Sequence, residues 1–231
     1  MLRLYDLAGA EPDRRFSPFC SRIKMALAHK GLEVETVPWR FTEKEVLAPA
    51  GKAGRVPVLV DGERWIGESW VIAEYLEDKY AILPSLFGGG AGRALSRFYQ
   101  GWTDAILHGA LFRMLVLDIW RHVDPRDRDY FRNSREERLG MTLEQAAADR
   151  EARLPALRET LTPMRLVLRA QPFLGGEKPL YADYIVFGAF LWARGISDFK
   201  LLAADDPVAL WRQRLLDLND GFAAKWKGYP V

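Results

Sequence analysis

Short apolar stretches alternate with amphipathic segments in the first third of the chain. Apolar residues cluster at 2–7 and again at 34–39, which indicates two strands. Between them, Ser17 followed by Pro18 is typical of a helix start, apolar residues recur at helical spacing, and Gly31 is typical of a helix end. The pattern predicts a strand–helix–strand unit with parallel strands and a right-handed crossover.

The next apolar runs predict a hairpin and a second helix. Residues 56–60 and 64–66 flank an Asp-Gly pair, which is a strong signal for a tight turn between two strands. An amphipathic helix follows and ends near Tyr80. A strand–helix–strand unit followed by a hairpin and a helix is the order of a thioredoxin-like domain, which we assign to residues 1–80.

Helical spacing dominates the remainder of the chain. A glycine-rich segment predicts a linker at 81–92, and residues 93–231 are predicted to form an all-helical domain. Apolar residues follow one broad face from 95 to 119, which indicates a long core helix. The predicted fold is therefore an α/β thioredoxin-like N-terminal domain joined to an all-α C-terminal domain.

Two further helical regions are predicted in the second domain. One covers 143–171 and is expected to break or kink near Pro155 and Pro163. The other, 184–193, is apolar around its whole circumference, which is typical of a helix in the centre of a bundle. We expect this last helix to be the hub of the domain.

Composition narrows the class of protein. The chain has 231 residues, of which 49% are hydrophobic and 28% charged, values typical of a folded globular protein. The formal net charge is only +2, so no strong field favours nucleic acid or an anionic membrane. No stretch has the pattern of a signal peptide or a membrane span. Small molecules are the expected partners.

Cysteine and histidine usage excludes other classes of site. Cys20 is the only cysteine, so an intrachain disulfide is excluded and a reducing, cytoplasmic environment is expected. The three histidines and the acidic residues have no metal-ligand spacing, so we expect no metal.

Ser17 is the first candidate for chemistry because it lies where a strand leads into a helix. Unpaired N–H groups and the macrodipole make a helix N-terminus attractive to an anion such as a thiolate. A hydroxyl donor adds a hydrogen bond to the charged form, which could lower the pKa of a bound thiol by about 1–2 units. The alternative is that Ser17 only caps its helix.

Two further pairs of residues could complete such a site. Val56-Pro57 precedes the third strand, where a cis peptide bond would present the Val56 backbone to a ligand; an ordinary trans proline is the alternative. Glu68-Ser69 places a carboxylate and a hydroxyl at another helix start. There Glu68 could bind an ammonium group and Ser69 a carboxylate. The alternative is that Glu68 is only a first-turn acid and Ser69 only a cap.

A family resemblance follows from these motifs and extends over nearly the whole chain. It is carried by Ser17-Pro18-Phe19, Arg55-Val56-Pro57-Val58, Glu68-Ser69, and Leu174-Gly175-Gly176 followed by Ala182-Asp183-Tyr184. The sequence resembles the glutathione S-transferase superfamily. Leu180 departs from the pattern, because the family usually has a small polar capping residue there.

Within the superfamily the chain looks most like the bacterial β-aryl etherases and the fungal Ure2-like, serine-type enzymes. The stretches that carry this likeness are Ser69-Trp70-Val71-Ile72-Ala73-Glu74-Tyr75-Leu76, Arg153-Leu154-Pro155 and Phe190-Leu191-Trp192. The resemblance implies glutathione as co-substrate, a hydrophobic aromatic electrophile such as an aryl ether, a homodimer, and Ser17 as the residue that assists the glutathione thiolate.

The resemblance and the motifs together give a set of expected site residues. The glutathione-binding set is Ser17, Phe19, Arg40, Lys52, Arg55, Val56, Pro57, Glu68 and Ser69. Among its basic residues, Lys52 or Arg55 is preferred over Arg40 as partner of the glycine carboxylate, because both are nearer Pro57 in sequence. The acceptor pocket is expected between the domains, lined by Trp102, Leu107, Phe112 and Met114, although residues at such spacing are more often core.

Three alternatives remain open at this stage. Cys20 could rival Ser17, but it lies one turn into the helix and lacks the second cysteine of a dithiol motif. A serine hydrolase is disfavoured because Ser17 is outside any Gly-x-Ser-x-Gly motif. The third is a binding protein for glutathione or hydrophobic ligands, or an interaction adaptor, on the same fold.

Overall fold

The computed structural model describes residues 1–51 and 54–231. In the first part of the chain these residues form four strands and two helices. Their bounds are β1 Leu2–Leu7, α1 Pro18–His29, β2 Val34–Trp39, β3 Val58–Asp61, β4 Arg64–Gly67 and α2 Ser69–Lys79, with a 3-10 helix at Lys44–Ala50. The predicted bounds of β1 and β2 match the observed ones.

The four strands form one mixed sheet in the order β2-β1-β3-β4. Strands β1 and β2 are parallel, with Leu2 opposite Val34. Strand β3 runs antiparallel to both β1 and β4, and the Asp-Gly turn connects β3 to β4. This is the predicted thioredoxin-like arrangement, and the crossover helix α1 starts directly beside the end of β1.

The second part of the chain is helical. Its helices are α3 Gly90–Trp102, α4 His108–His122, α5 Arg128–Leu139, α6 Leu143–Ala147, α7 Arg150–Thr160, α8 Thr162–Ala170, α9 Tyr181–Ile196 and α10 Pro207–Gly221. A π-helical turn at Thr103–Leu107 joins α3 to α4, so the predicted long helix over 95–119 has an insertion in its middle. The predicted all-α domain is confirmed.

Helix α9 is the hub, as predicted for 184–193. Nearly all of its side chains are buried, and its N-terminal half packs directly on α1. Gly188 makes this approach close, because a Cβ atom there would lie 2.5 Å from the carbonyl oxygen of Pro18. The start of α1, which carries Ser17, is therefore held on the hub of the other domain.

The segment between α2 and α3 overlaps the predicted 81–92 linker. Leu86 and Phe87 within it are fully buried, and α3 begins at Gly90. Among the described residues, none of the helices combines the length and apolar character needed to cross a membrane.

The proline positions in the second helical region act differently from each other. Pro155 lies inside α7 and does not end it, so the helix does not break there; Leu157, two residues past it, is anchored in the core. The helix ends at Thr160 instead, and Pro163 occupies the first turn of α8, where a missing N–H costs nothing.

Candidate functional site

A cleft of about 890 Å³ lies between the two domains. Of the residues predicted to bind glutathione, it is lined by Ser17, Phe19, Arg55, Val56, Pro57, Glu68 and Ser69. These residues come from three separate stretches of sequence, namely the start of α1, the segment before β3 and the start of α2. The sheet topology brings the three stretches together at one end of the thioredoxin-like domain.

Ser17 caps α1 with its side chain and also lines the cleft. Its Oγ accepts the Cys20 N–H at 3.2 Å, so the capping interpretation of the sequence holds. A serine hydroxyl can also donate. The Ser17 hydroxyl lies close enough to the Cys20 thiol to act on its pKa, and the Ser17 side chain is only 4% exposed. Because Ser17 lines the cleft, the same hydroxyl can donate to a ligand bound there.

Cys20 faces away from the cleft into the core. Its Sγ lies 3.8 Å from the Tyr5 carbonyl oxygen, and the side chain is fully buried. Burial first, and then the Asp6 carboxylate, raises the pKa of the Cys20 thiol well above its usual range. A protonated, inaccessible thiol is a poor nucleophile, which supports the interpretation of Cys20 as a core residue.

The second and third stretches present backbone groups to the cleft. The Val56–Pro57 peptide bond is cis, which is one of the two alternatives that the sequence left open. Glu68 has a φ of 68°, a left-handed conformation that is uncommon outside glycine, and α2 begins at the next residue. The Tyr181 hydroxyl of α9 donates to the Ser69 carbonyl oxygen at 3.0 Å, which ties this helix start to the hub.

Two predicted basic residues fall outside this description of the cleft. Arg40 does not line it, because its Nε lies 2.7 Å from the Asp124 carboxylate of the helical domain and a second nitrogen approaches Glu43. These two carboxylates hold Arg40 at the junction between the domains. Lys52 lies outside the described residues.

The acceptor residues were harder to predict. Phe112 lines the cleft, whereas Leu107 and Met114 are buried in the core at 0% and 1% exposure, and Trp102 lies away from the cleft beside Tyr99. Apolar residues of one helical region lie partly in the core and partly in the cleft, and the sequence does not show which residue lies where.

The opposite wall of the cleft is one face of α5, which the sequence pattern did not predict as part of the site. This face consists of Tyr130, Phe131, Ser134, Arg135 and Arg138, spaced three and four residues apart. The periodicity was present in the sequence but lay within a charge-dense stretch that resembles a solvated helix. His108 at the start of α4 and Trp192 of α9 also line the cleft and were not predicted.

His108 lies where the two parts of the cleft meet. Its ring packs edge-on against Phe19 at 5.3 Å and against Trp192 at 5.9 Å, and its Nδ1 lies 3.3 Å from Asp104. Burial, with a smaller effect from the Arg22 guanidinium, lowers the pKa of His108 to about 3. The imidazole is therefore neutral throughout the physiological range.

This depressed pKa predicts an acid-sensitive contribution to stability. An unfolded histidine takes up a proton below about pH 6.5 while folded His108 does not, so acid favours unfolding by about 1.4 kcal/mol for each pH unit in that range. The variant His108→Gln cannot titrate. We expect wild type to lose about 2 kcal/mol relative to this variant between about pH 7.5 and 5, measured by urea unfolding. A difference that does not change with pH would contradict the assignment.

Across 1–51 and 54–231, the histidine, cysteine and acidic side chains form no group of three or more that could hold a metal ion.

Comparison with known proteins gives matches in both domains. Residues 12–85 match the family model for the glutathione S-transferase N-terminal domain, and 94–224 match that for the C-terminal domain. A probable glutathione S-transferase of Glycine max is 32% identical over 117 residues, which is 49% of this chain and 49% of that protein. The chain thus matches about half the length of that relative.

Solved structures match over almost the full length. Glutathione transferase GSTFuA3 from Phanerochaete chrysosporium is 26% identical, with a TM-score of 0.77 over 97% of this chain and 94% of its own. A glutathione S-transferase of Ceriporiopsis subvermispora in complex with glutathione is 25% identical, with a TM-score of 0.75 over 98% and 96%. With family models matching both domains, the chain belongs to the glutathione S-transferase family.

Proposed function

We propose that the protein transfers glutathione to a hydrophobic aromatic electrophile, and that Ser17 keeps the glutathione thiol ionised. The observation that carries the proposal is the position of the Ser17 hydroxyl, which lies at the start of α1 and lines the cleft, where it can donate to a ligand. The Ceriporiopsis structure that resembles this chain contains glutathione, which supports the choice of co-substrate.

The cleft offers each part of glutathione a suitable partner. The N–H groups at the start of α2, with the Ser69 hydroxyl, suit the γ-glutamyl carboxylate, and the Glu68 carboxylate suits its ammonium. The Val56 backbone, exposed by the cis bond to Pro57, suits the peptide of the ligand. Arg55, exposed at the rim, suits the glycine carboxylate.

These contacts would place the cysteinyl sulfur at the N-terminus of α1. There the Ser17 O–H would donate to the thiolate, and the helix dipole would favour its negative charge. The sulfur then forms a bond to the electrophilic carbon, and the leaving group departs with its electron pair. With an aryl ether the leaving group is a phenolate, so ether cleavage and simple conjugation share one site. A homodimer is part of the same proposal.

The test combines equilibrium binding and turnover with the full chain. We expect calorimetry to show glutathione binding, and chlorodinitrobenzene to give a thioether and chloride at a rate that depends on both enzyme and glutathione. A panel of aryl ethers then tests for phenol release. Binding without thioether formation from any electrophile would support a glutathione-binding protein in place of an enzyme, and no binding would reject the proposal.

A further inference from the structure

The acceptor end of the cleft carries an unpaired cluster of arginines. Arg113 from α4 and Arg135 and Arg138 from α5 all line the cavity. Elsewhere on α5, Arg132 is paired with Glu136 and Glu144. By contrast, in the part of the chain that the structure describes, Arg113, Arg135 and Arg138 have no carboxylate within 4.0 Å.

The acidic residues that line the described cleft do not neutralise this cluster. Asp104 lies 3.1 Å from the buried Arg22 guanidinium, which compensates its charge. Glu68 lies at the start of α2, within the group of residues assigned to glutathione. The three arginines therefore leave positive charge at the acceptor end that no acidic side chain lining the described cleft compensates, and this charge attracts an anion.

Arg135 is held in a fixed orientation by aromatic rings. Its guanidinium carbon lies 4.6 Å from the centre of the Phe131 ring and 5.1 Å from that of Phe41, which belongs to the other domain. One terminal nitrogen donates to the Ser134 hydroxyl at 2.8 Å, while the buried Nε has no hydrogen-bond partner. A buried donor without a partner is costly, and a ligand oxygen would relieve that cost.

Arg138 and Arg113 continue this arrangement towards the cleft opening. The Arg138 guanidinium lies 4.2 Å from the centre of the Phe112 ring, so it spans the gap between α5 and α4. Arg113 is exposed on the neighbouring turn of α4. The planar guanidinium groups of Arg135 and Arg138, each close to an aromatic ring, suit a flat, two-oxygen anion attached to an aromatic body.

We propose that this cluster recognises the carboxylate of an aromatic acid, so that the preferred acceptor is an aromatic electrophile that bears a carboxylate. The inference rests on the proposed glutathione transfer for the reaction, but the anion site itself can be tested without it. In the reaction the glutathione sulfur bonds to the ring carbon that carries the leaving group, which departs with the bonding pair. The thiol proton passes to solvent, and the carboxylate is unchanged.

An unreactive ligand pair provides the direct test. Dinitrobenzoate, with both nitro groups meta to the carboxylate, is compared with its methyl ester by calorimetry. We expect the acid to bind at least about tenfold more tightly than the ester at low salt, and to lose this advantage at high salt.

Three variants locate the site on the protein. Arg135→Met and Arg138→Met are each expected to weaken binding of the acid about tenfold and that of the ester less than about twofold. The matched control is Arg169→Met, which removes the same charge from an exposed position on α8 outside the cleft. If loss of the ring contacts unfolds Arg135→Met, the exposed Arg138 still provides the test.

Turnover and glutathione binding separate the possible failures. The reactive pair is the same benzoate with chlorine para to the carboxylate, together with its methyl ester. Arg135→Met and Arg138→Met should each raise KM for the acid and leave KM for glutathione unchanged. Equal binding of acid and ester to wild type would overturn the anion site, as would variants that weaken glutathione binding instead. Failure of glutathione transfer would appear separately, as absence of thioether from the ester as well.

Discussion

Replacing Asp183 with alanine is expected to remove a large part of the stability of the protein. The Asp183 carboxylate is fully buried and accepts four hydrogen bonds, from the N–H groups of Leu174, Gly175 and Leu180 and from the Trp211 indole, at 2.7 to 3.0 Å. Each buried donor left without a partner costs about 1–3 kcal/mol, so we expect a loss of about 4 kcal/mol or more in the free energy of unfolding. A typical total is about 5–15 kcal/mol.

Urea unfolding of three variants measures this effect. Asp183→Asn keeps the Oδ1 position, which serves Leu174 and Trp211, but places an NH₂ group against the two donors at Oδ2. It should therefore be intermediate between wild type and Asp183→Ala. The control is Asp198→Ala, an exposed acid just beyond α9, which should change stability by less than about 0.5 kcal/mol. A loss of under about 1 kcal/mol in Asp183→Ala would show that the network matters little.

The Asp183 network also explains how the chain manages with Leu180 in place of a polar cap. Asp183 accepts the Leu180 N–H at 3.0 Å, so the half of the capping arrangement that depends on Asp183 is intact. Burial raises the pKa of Asp183, and the four donors act in the opposite direction. Because these donors come from the loop before α9 and from α10, one carboxylate joins three parts of the helical domain.

The second large effect is expected from Ser17→Ala. If the hydroxyl donates to the bound thiolate, its removal should raise the pKa of bound glutathione by about 1–2 units and lower kcat/KM at neutral pH about 10- to 100-fold. The change also removes the bond from the Cys20 N–H, a loss of about 1 kcal/mol that leaves the protein folded. Thiolate absorbance of bound glutathione across pH, with chlorodinitrobenzene kinetics, measures both effects.

Two further variants separate the role of Ser17 from its surroundings. Ser17→Thr retains a hydroxyl and should keep most of the activity. Cys20→Ala removes the neighbouring thiol, which is buried and faces Tyr5, and should leave kcat/KM within about twofold. An unchanged pKa of the bound thiol in Ser17→Ala would eliminate the proposed role, and a large loss in Cys20→Ala would restore the rival residue.

Local signals in the sequence were sufficient for most of the secondary structure and for the half of the cleft at α1 and α2. Ser17, Pro18 and Gly31 mark the ends of α1 through the geometry of single residues, namely a cap, a fixed φ and a positive φ. The Asp-Gly turn fixes the hairpin in the same way. Motifs at helix starts are predictable because their chemistry depends on the backbone immediately around them.

Prediction was less successful where distant parts of the chain decide the outcome. Arg40 was expected to face a ligand, but Asp124, which is far from it in sequence, holds it at the domain junction. Leu107 and Phe112 belong to the same apolar stripe, yet one is in the core and the other in the cleft. A stripe defines which face of a helix is buried, and only the neighbouring helices determine what that face meets.

By itself, the sequence determined the two-domain fold, the helix start that carries Ser17 and the central position of α9, because each depends on local backbone chemistry or on hydrophobic periodicity. It placed Val56-Pro57 before β3 but left the cis or trans state of that bond open. Only the tertiary structure decided that α5 turns Arg135 and Arg138 towards the cleft. In the sequence this helix resembles a solvated one. Its charged face becomes a binding surface because Phe41 and Phe112, which lie outside α5, contact Arg135 and Arg138, while Phe131 of α5 itself lies beside Arg135.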